Sequence, residues 1–310
     1  MSEYFTPRQV ARALGVSESS LKRWCDRSLL NTVRTAGGHR RVAYQEIARF
    51  CRETGRQLAD PNVLGLPAAV GHGATVYGRA ASQFGAALVA GDETMARRIT
   101  IDLLQTKHPI WEIGDLVVAP ALREIGTSWQ CGDVAVWQER RGCEIVQRVI
   151  YELTNLVAAP PPDAPQAVGG TVEGDPYRLS TMLCEATLRE AGWRAESFGS
   201  SIPIASLAQA MIDLRPPLAW ISISHEVAPE DFAPEFNEHS RRIRAAGIAL
   251  AVGGRAVDDS LAAALEFTVR CRTLDELRLF AAGLKADTKA TRAKRAKRRA
   301  ESPPRKRSTR

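Results

Sequence analysis

The chain has 310 residues, more than one domain of typical size, so two or three domains are expected. With 45% hydrophobic and 25% charged residues, its composition is that of a globular protein with buried cores. No apolar run is long enough for a membrane span, the first residues lack the apolar core of a secretion signal, and the six cysteines contain no CxxC pair. We expect a cytoplasmic protein without membrane association, disulfide framework or metal site.

The net charge of +7 is unevenly distributed along the chain. Residues 1–58 carry eleven Lys and Arg against five acidic residues, and residues 285–310 carry twelve against two. The middle of the chain is therefore acidic, with a net charge of about −9. Positive charge is concentrated at both ends, where it could contact nucleic acid. A tail that only increases solubility is the alternative interpretation of the basic C-terminus.

The first predicted elements are two short helices. Thr6-Pro7 is typical of an N-cap followed by the first helical residue, and Ser17 is expected to cap the second helix. On that second helix Leu21 and Trp24 lie three residues apart and face the core. The polar and basic side chains that then point outward, as a helix in the major groove requires, are Ser19, Ser20, Lys22 and Arg23.

A glycine-rich basic turn follows, with the sequence RTAGGHRR at residues 34–41. Glycines let the backbone approach a phosphate closely, and arginines can bind a phosphate through two hydrogen bonds. The residues predicted to contact DNA here are Arg34, Thr35, Gly38, His39, Arg40 and Arg41. A solvated basic loop without function is the alternative.

Residues 4–54 resemble the winged helix-turn-helix of the MerR family, in the motifs T-P-x-x-V-A-x-x-L-G-V-S, L-x-x-W and R-T-x-G-G-H-R-R. The resemblance implies that the second helix reads bases in double-stranded DNA and that the turn is a wing on the phosphate backbone. It also implies two half-sites and a homo-oligomer, a dimer or a tetramer. Because no heptad run follows residue 54, another part of the chain is expected to assemble that oligomer.

Helical periodicity dominates residues 75–158, after a linker at residues 59–74. Glycine and proline breaks separate four predicted helices, at residues 75–90, 92–106, 109–127 and 133–157. Short loops between helices favour antiparallel neighbours, so a four-helix bundle is expected. A proline-rich linker at residues 159–166 ends this domain.

Short apolar runs alternate with helical patterns over residues 167–285. The predicted strands are residues 167–172, 194–199, 218–224, 248–254 and 267–271. The predicted helices lie near residues 176–191, 203–214, 229–246, 257–265 and 274–285. This alternation predicts a doubly wound, five-stranded parallel α/β domain. Residues 286–310 have almost no apolar side chains and are expected to form a disordered basic tail.

The order of bundle and α/β domain over residues 75–284 resembles the cobalamin-binding modules of methionine synthase. When it follows a MerR-type DNA-binding domain, as in this chain, this order of domains resembles light-sensing regulators of the CarH/CarA/LitR type. Trp129 and Glu139 match the first two places of the pattern W-x9-E-H in that family. The resemblance implies a bundle that caps the upper face of cobalamin, and a cobalamin-binding-like α/β domain that holds the lower face and nucleotide tail.

The sequence departs from that family where histidines are expected. Arg140 follows Glu139 in place of histidine, and Gln130 follows the tryptophan. In the stretch that corresponds to the lower-ligand motif E/D-x-H-x-x-G, Tyr177 stands at the histidine and Ser180 at the glycine. A phenol, with a pKa of about 10, is a poor cobalt ligand at neutral pH. We therefore expect no base-on cobalamin.

Small residues at the ends of the third and fourth strands occupy the switch-point positions where doubly wound sheets bind ligands. The ligand-cleft candidates are Trp129, Glu139, Arg140, Tyr177, Ser222, Ser224, His225, Gly253 and Gly254. Trp129 and Trp137 have the alternative of being ordinary core residues, and His225 of being a capping or solvated residue. We expect His239 on the surface of its helix.

These observations predict a DNA-binding transcriptional regulator of the nucleoid whose sensor fold serves oligomerisation, protein contact or another ligand, independently of cobalamin. An adenosylcobalamin photoreceptor with unusual ligation is an alternative. A sensor of another tetrapyrrole, such as haem or a bilin, is a further one. An enzyme is not expected, because no substrate barrel, metal cluster or nucleophile-base constellation accompanies the module.

Overall fold

A computed structural model describes residues 4–34, 37–54, 56, 58–64 and 74–286. The chain divides into two compact units, residues 1–108 with 116–145 and residues 109–115 with 146–310. The centre of the predicted linker and the basic tail from residue 287 lie outside the described residues. Within the described ranges, no helix has the length and apolar character that crossing a membrane requires.

The N-terminal part of the first unit is a winged helix-turn-helix, as predicted. Its elements are β1 (Tyr4–Phe5), α1 (Pro7–Ala13), α2 (Glu18–Asp26), β2 (Val33–Arg34), β3 (Arg40–Ala43) and α3 (Tyr44–Thr54). The strands form an antiparallel sheet in the order β1-β3-β2. Fully buried side chains from each layer fill one core: Val10, Leu21, Leu30, Val42 and Ile47.

The start of α1 is capped more completely than we predicted. The Thr6 hydroxyl accepts the Gln9 N–H at 3.2 Å, and the Gln9 side chain accepts the Thr6 N–H at 2.9 Å. These reciprocal bonds form a capping box, which the pattern Thr-x-x-Gln encodes locally. At α2 the Ser17 hydroxyl accepts the Ser20 N–H at 3.2 Å, which confirms Ser17 as the N-cap.

The middle of the chain is helical, close to prediction. Its helices are α4 (Ala74–Ala90), α5 (Glu93–Gln105), α6 (Ile110–Ile113), α7 (Ala119–Gln130) and α8 (Val136–Leu156). The third predicted helix is divided, because a π-helical turn, Gly114–Val118, joins α6 to α7. Such turns interrupt the ordinary helical ladder and are not visible in hydrophobic periodicity. The division into two units also falls in this region, at residues 108/109, 115/116 and 145/146.

The second unit contains the predicted parallel sheet. Its strands are β4 (Gln166–Thr171), β5 (Arg194–Ser197), β6 (Leu218–Ser222), β7 (Ala249–Gly253) and β8 (Val269–Cys271), in the order β5-β4-β6-β7-β8. The connecting helices are α9 (Arg178–Glu190), α10 (Ile204–Leu214), α11 (Pro229–Ala245) and α12 (Asp259–Ala264), and α13 follows at residues 274–286. The order in which strands are added reverses at β4, which has β5 on one side and β6 on the other, and the switch point of the sheet lies between β4 and β6.

Successive residues of each strand point to opposite faces of the sheet and so contribute to two separate hydrophobic cores, as expected for a sheet covered on both faces. Val168, Ile221 and Val252 pack with α10 and α11 on one face. On the other face Trp220 and Leu218 pack with side chains of α9 and α13. The doubly wound prediction is therefore confirmed, although β5 and β6 each end two residues earlier than predicted.

The short helix α6 and the residues after it attach to α9 and α13 within the second unit. The Ile110 N–H donates to the Glu190 carboxylate at 2.8 Å. Asp115 accepts the N–H groups of Leu274 and Asp275 at 3.1 and 3.2 Å, and so caps α13 from 159 residues away. This cap has no local sequence signal, because its donor and acceptor are distant in the chain.

Candidate functional site

The start of α2 presents the polar and basic surface that the sequence predicted. Ser19, Lys22 and Arg23 are exposed, while Ser20 is half-buried. The hydroxyl of Ser17 lies 2.9 Å from those of Ser19 and Ser20, and Arg23 donates to the Ser20 hydroxyl at 3.3 Å. The start of α2 thus presents an ordered group of hydroxyls, to which Arg23 from the next turn adds a guanidinium, and this surface is suited to a polar partner.

The predicted wing is a hairpin of β2 and β3 in which Arg34 is paired with Arg40. Gly38 in the connecting turn has a φ of +78°, and a Cβ there would meet no heavy atom within 4 Å. The backbone conformation, not crowding, therefore requires glycine at this position. His39 and Arg34 are exposed, and Arg34 Nη1 lies 3.5 Å from the Gly38 carbonyl. Thr35 lies outside the described residues.

Two of the three wing arginines differ from the exposed side chains that the sequence suggested. Arg40 forms a 2.7 Å ion pair with Asp26, the last residue of α2. Arg41 is half-buried and donates to the Arg40 carbonyl at 3.1 Å. Charge alone predicted all three as phosphate contacts, because sequence does not reveal a carboxylate fourteen residues away.

The root of the wing, which is the segment from Leu29 to Asn31 before β2, is held by α3 through residues that we did not predict. The Glu46 carboxylate accepts the Asn31 N–H at 2.9 Å and is bonded to the Arg49 guanidinium. Arg49 also donates to the Leu29 carbonyl at 3.2 Å. The Arg49 hydrogen bond is the main reason that the pKa of Glu46 falls to about 2. The only sequence signal was the i,i+3 spacing of opposite charges on one helix.

At the switch point of the sheet, the loops after β4 and β6 are joined by Asp175. This carboxyl group is 1% exposed and accepts the N–H groups of Ser224 at 2.5 Å and His225 at 3.3 Å. Its other oxygen accepts the Tyr177 N–H at 2.9 Å. Asp175 is absent from our predicted site residues, and its position in the loop after the first strand was the available signal.

A third loop joins this arrangement through Arg255. The Arg255 side chain donates to the Ser224 carbonyl at 2.9 Å, and its guanidinium carbon lies 4.7 Å from the centre of the Tyr177 ring. The Ser180 hydroxyl lies 3.3 Å from that of Ser224. Tyr177, Ser180 and Ser224 therefore lie close together at this edge of the sheet, where the two serines contact each other and Arg255 contacts Tyr177 and Ser224.

Backbone packing accounts for the glycines at this edge. A Cβ at Gly253 would clash with the Cys271 carbonyl, and one at Gly254, whose φ is +107°, would clash with the Ile223 carbonyl. Close strand spacing thus explains both small residues without a ligand. Ser222 pairs with Gly253 on the neighbouring strand, and its hydroxyl lies 4.0 Å from the Cys184 sulfur.

The layer between α9 and the sheet is filled by Trp220. Its indole is 2% exposed, and its N–H donates to the Thr181 hydroxyl at 2.9 Å. The ring lies against Gly169 on the neighbouring strand, where any Cβ would overlap it. An aromatic side chain of this chain therefore fills the face of β4 and β6 that α9 covers.

Three ligand-cleft candidates, Trp129, Glu139 and Arg140, lie in the first unit. Trp129 is 46% exposed and Trp137 is 62% exposed, so the alternative that they are core residues is wrong. Glu139 accepts a hydrogen bond from Cys143 at 3.3 Å and lies 3.5 Å from the exposed Arg140.

Two histidines of the second unit differ in their exposure to solvent. His225 is exposed, and its backbone N–H bonds to Asp175. His239, which we expected on the surface, is buried on the inner face of α11. The prediction for His239 was wrong because His239 lies on the same face of α11 as the buried Phe236 and Ile243.

Comparisons with known proteins agree with this architecture. A family model described as a helix-turn-helix domain matches residues 4–54, and one described as a B12 binding domain matches residues 81–154. The HTH-type transcriptional repressor CarA of Myxococcus xanthus is 26% identical over 267 residues, 83% of this chain and 88% of that one. CarH of the same organism is 26% identical over 266 residues, 79% and 87%.

Among solved structures, the monomethylamine corrinoid protein of Methanosarcina barkeri superimposes with a TM-score of 0.55 at 14% identity. It covers 66% of this chain and 97% of its own, and this likeness concerns the fold alone. The resemblance to the CarH/CarA type is confirmed by the two domain matches and the two relatives. Together they support a DNA-binding regulator with a B12-binding-type module.

Proposed function

We propose that the protein is a sequence-specific transcriptional regulator in which α2 reads bases in the major groove and the β2–β3 wing contacts the phosphate backbone. The observation that carries this proposal is the exposed set of donors on the first turn of α2, with Lys22 and Arg23 beside a glycine-turn wing. Phosphate contacts position such a domain and base contacts specify the sequence. Both CarA and CarH are repressors by name, which favours regulation over catalysis.

The working form is a homo-oligomer in the cytoplasm, bound to the nucleoid. Two DNA half-sites require at least two winged helix-turn-helix domains, and the sequence after residue 54 has no heptad run that could join them as a coiled coil. The B12-type module, residues 75–284, is then the part of the chain that assembles the subunits. Light scattering of the full chain should give a dimer or a tetramer, and a monomer at all concentrations would contradict this.

Selection from random double-stranded DNA tests the sequence preference. The full chain should enrich one motif, and Arg23→Ala should reduce affinity for that motif by about tenfold, the loss expected for one good base contact of 1–3 kcal/mol. Arg123→Ala is the matched control, because Arg123 is an exposed arginine on α7. Equal effects of the two substitutions would show that only net charge matters and would reject α2 as the reading helix.

We also propose that the module does not hold base-on cobalamin. The residues of the loop after β4 do not fit that cofactor: Tyr177 stands at the ligand position with Arg255 against its ring, and Ser180 stands at the glycine. A phenol does not replace neutral imidazole as a cobalt ligand at neutral pH. Trp220 against Gly169 further fills the face of the sheet that α9 covers.

An absorbance titration tests this second proposal. The full chain is mixed with adenosylcobalamin or hydroxocobalamin in the dark and in light, then desalted. We expect no retained corrinoid spectrum and no change in oligomeric state. A retained base-off spectrum, with light-dependent assembly, would support the photoreceptor alternative instead. Expression with haem or bilin supply tests the tetrapyrrole alternative, which a colourless product would reject.

A further inference from the structure

We propose that Arg40 is a positioning residue, which Asp26 holds so that the wing keeps a set orientation to the reading helix, and that it does not contact phosphate. This inference rests on the proposed DNA-binding function and deepens it. It divides the basic wing, which the sequence presents as one uniform charge cluster, into a structural arginine and a contacting arginine.

The geometry places the pair at a junction. Asp26 is the last residue of α2, and Arg40 is the first residue of β3. Arg40 Nη1 donates to Asp26 Oδ1 at 2.7 Å, across a separation of fourteen residues. The bond therefore joins the end of the helix that reads bases to the strand that carries the wing.

The charges in the hairpin distinguish Arg40 from its cross-strand neighbour. Arg34 pairs with Arg40 in register, and like charges opposite one another repel unless one is neutralised. Asp26 neutralises Arg40, whose side chain is 32% exposed. Arg34 is exposed and keeps its charge for an outside partner. A carboxylate close to DNA also repels phosphate, so pairing removes that cost from Asp26.

The other end of the wing is held independently. Glu46 accepts the Asn31 N–H, and Arg49 donates to the Leu29 carbonyl, which fixes the segment before β2 on α3. The pairing of β3 with β1 places the hairpin in the domain, and two side-chain attachments add to it: the segment before β2 is held on α3, and the start of β3 is held on α2. We expect loss of the Asp26 attachment to leave the hairpin folded, because β3 stays paired with β1, and to loosen the Arg40 end of β3 relative to α2.

Salt dependence separates a positioning arginine from a phosphate contact. The logarithm of the binding constant falls linearly with the logarithm of salt concentration, and each lost phosphate contact lowers the slope by about one. Binding of the full chain to its selected motif and to random-sequence DNA is measured for wild type, Arg34→Gln, Arg40→Gln and Asp26→Asn. Thermal unfolding of each variant verifies that it is folded.

We expect Arg34→Gln to lower the slope by about one and to weaken binding to both DNAs alike. Arg40→Gln should keep the slope and reduce the ratio of motif to random affinity by about fivefold to tenfold. Asp26→Asn should free Arg40 to bind the phosphate backbone of DNA, which raises the salt slope by about one. Binding to random DNA should then become stronger, while the ratio of motif to random affinity falls.

Arg40→Gln that lowers the slope as Arg34→Gln does, with no gain from Asp26→Asn, would overturn the inference and make Arg40 a phosphate contact. Failure of the proposed function would be distinct, because the wild-type chain would then show no preferred motif. In that case the pairing is measured by a double-mutant cycle of Asp26→Asn and Arg40→Gln on hydrogen exchange in residues 37–43. Additive effects there would reject the attachment.

Discussion

Trp220 on β6 lies directly against Gly169 on β4, and a methyl group at Gly169 would overlap its indole ring. The indole N–H is bonded to Thr181 on α9, so the ring cannot move away without losing that bond. The glycine at residue 169 is therefore set by a tertiary contact. Because residue 169 has no side chain, the indole of Trp220 occupies the space over it, and this face of the sheet is filled by the protein itself.

Gly169→Ala is expected to destabilise the α/β domain by about 1–3 kcal/mol, because an added methyl in a filled core forces side chains off their rotamers. Thermal unfolding followed by circular dichroism measures the effect. The matched control is Gly283→Ala on α13, where a Cβ would meet nothing within 4 Å. That substitution should be neutral or stabilising by up to about 1 kcal/mol. A neutral result at residue 169 would contradict the packing described here.

Asp175→Ala is expected to cost about 3 kcal/mol or more, because it leaves the buried N–H groups of Ser224 and Tyr177 without an acceptor. Denaturant unfolding gives the free energy. Glu173→Ala, an exposed change two residues earlier, should alter stability by less than about 0.5 kcal/mol. Similar losses for both variants would mean that the loop tolerates neither change and that Asp175 has no special role.

Acid should loosen the root of the wing through Glu46. The pKa of this carboxyl falls from 4.5 to about 2, chiefly because Arg49 donates to its ionised form. A depressed pKa stabilises the fold fully above 4.5, and that contribution is lost as the pH falls from 4.5 to 2. Glu46→Gln should therefore reduce protection from hydrogen exchange in residues 29–34 at neutral pH and remove its acid dependence.

Glu46→Gln is expected to lower the free energy of opening of this segment by about 1.5–3 kcal/mol, the range for a hydrogen bond to a charged group. Glu18→Gln is the control, because Glu18 forms an exposed 3.5 Å pair with Arg8 at the surface. It should change protection little at any pH. Unaltered acid dependence in Glu46→Gln would assign the effect to another carboxyl group.

Truncation after residue 286 should weaken binding to all DNA sequences and lower the salt slope, because it removes eleven Lys and Arg and only two acidic residues. The cut keeps Lys285, which donates to the carbonyls of Ala191 and Gly192 at 2.7 Å. A full-length variant with those eleven cations changed to Gln should behave like the truncation. An unchanged slope in both would assign the tail to a partner other than DNA.

Much of the architecture could be predicted from the sequence, because its signals are local. Thr6 and Ser17 sit directly before the helices that they cap, and alternation of apolar runs with helical patterns is repeated through the α/β domain. Such signals need only neighbours three or four residues away. They predicted the elements, the parallel doubly wound class of the sheet and the exposed polar face of α2.

The sequence by itself thus determined the winged head, the helical region and the parallel sheet. Only the tertiary structure decided that Arg40 is paired with Asp26, that Asp175 joins two loops across 49 residues, and that Trp220 fills the layer over Gly169. Periodicity states which face of an element is buried but not which partner covers it. Those partners are distant in the chain, so their contacts exist only once the elements have packed.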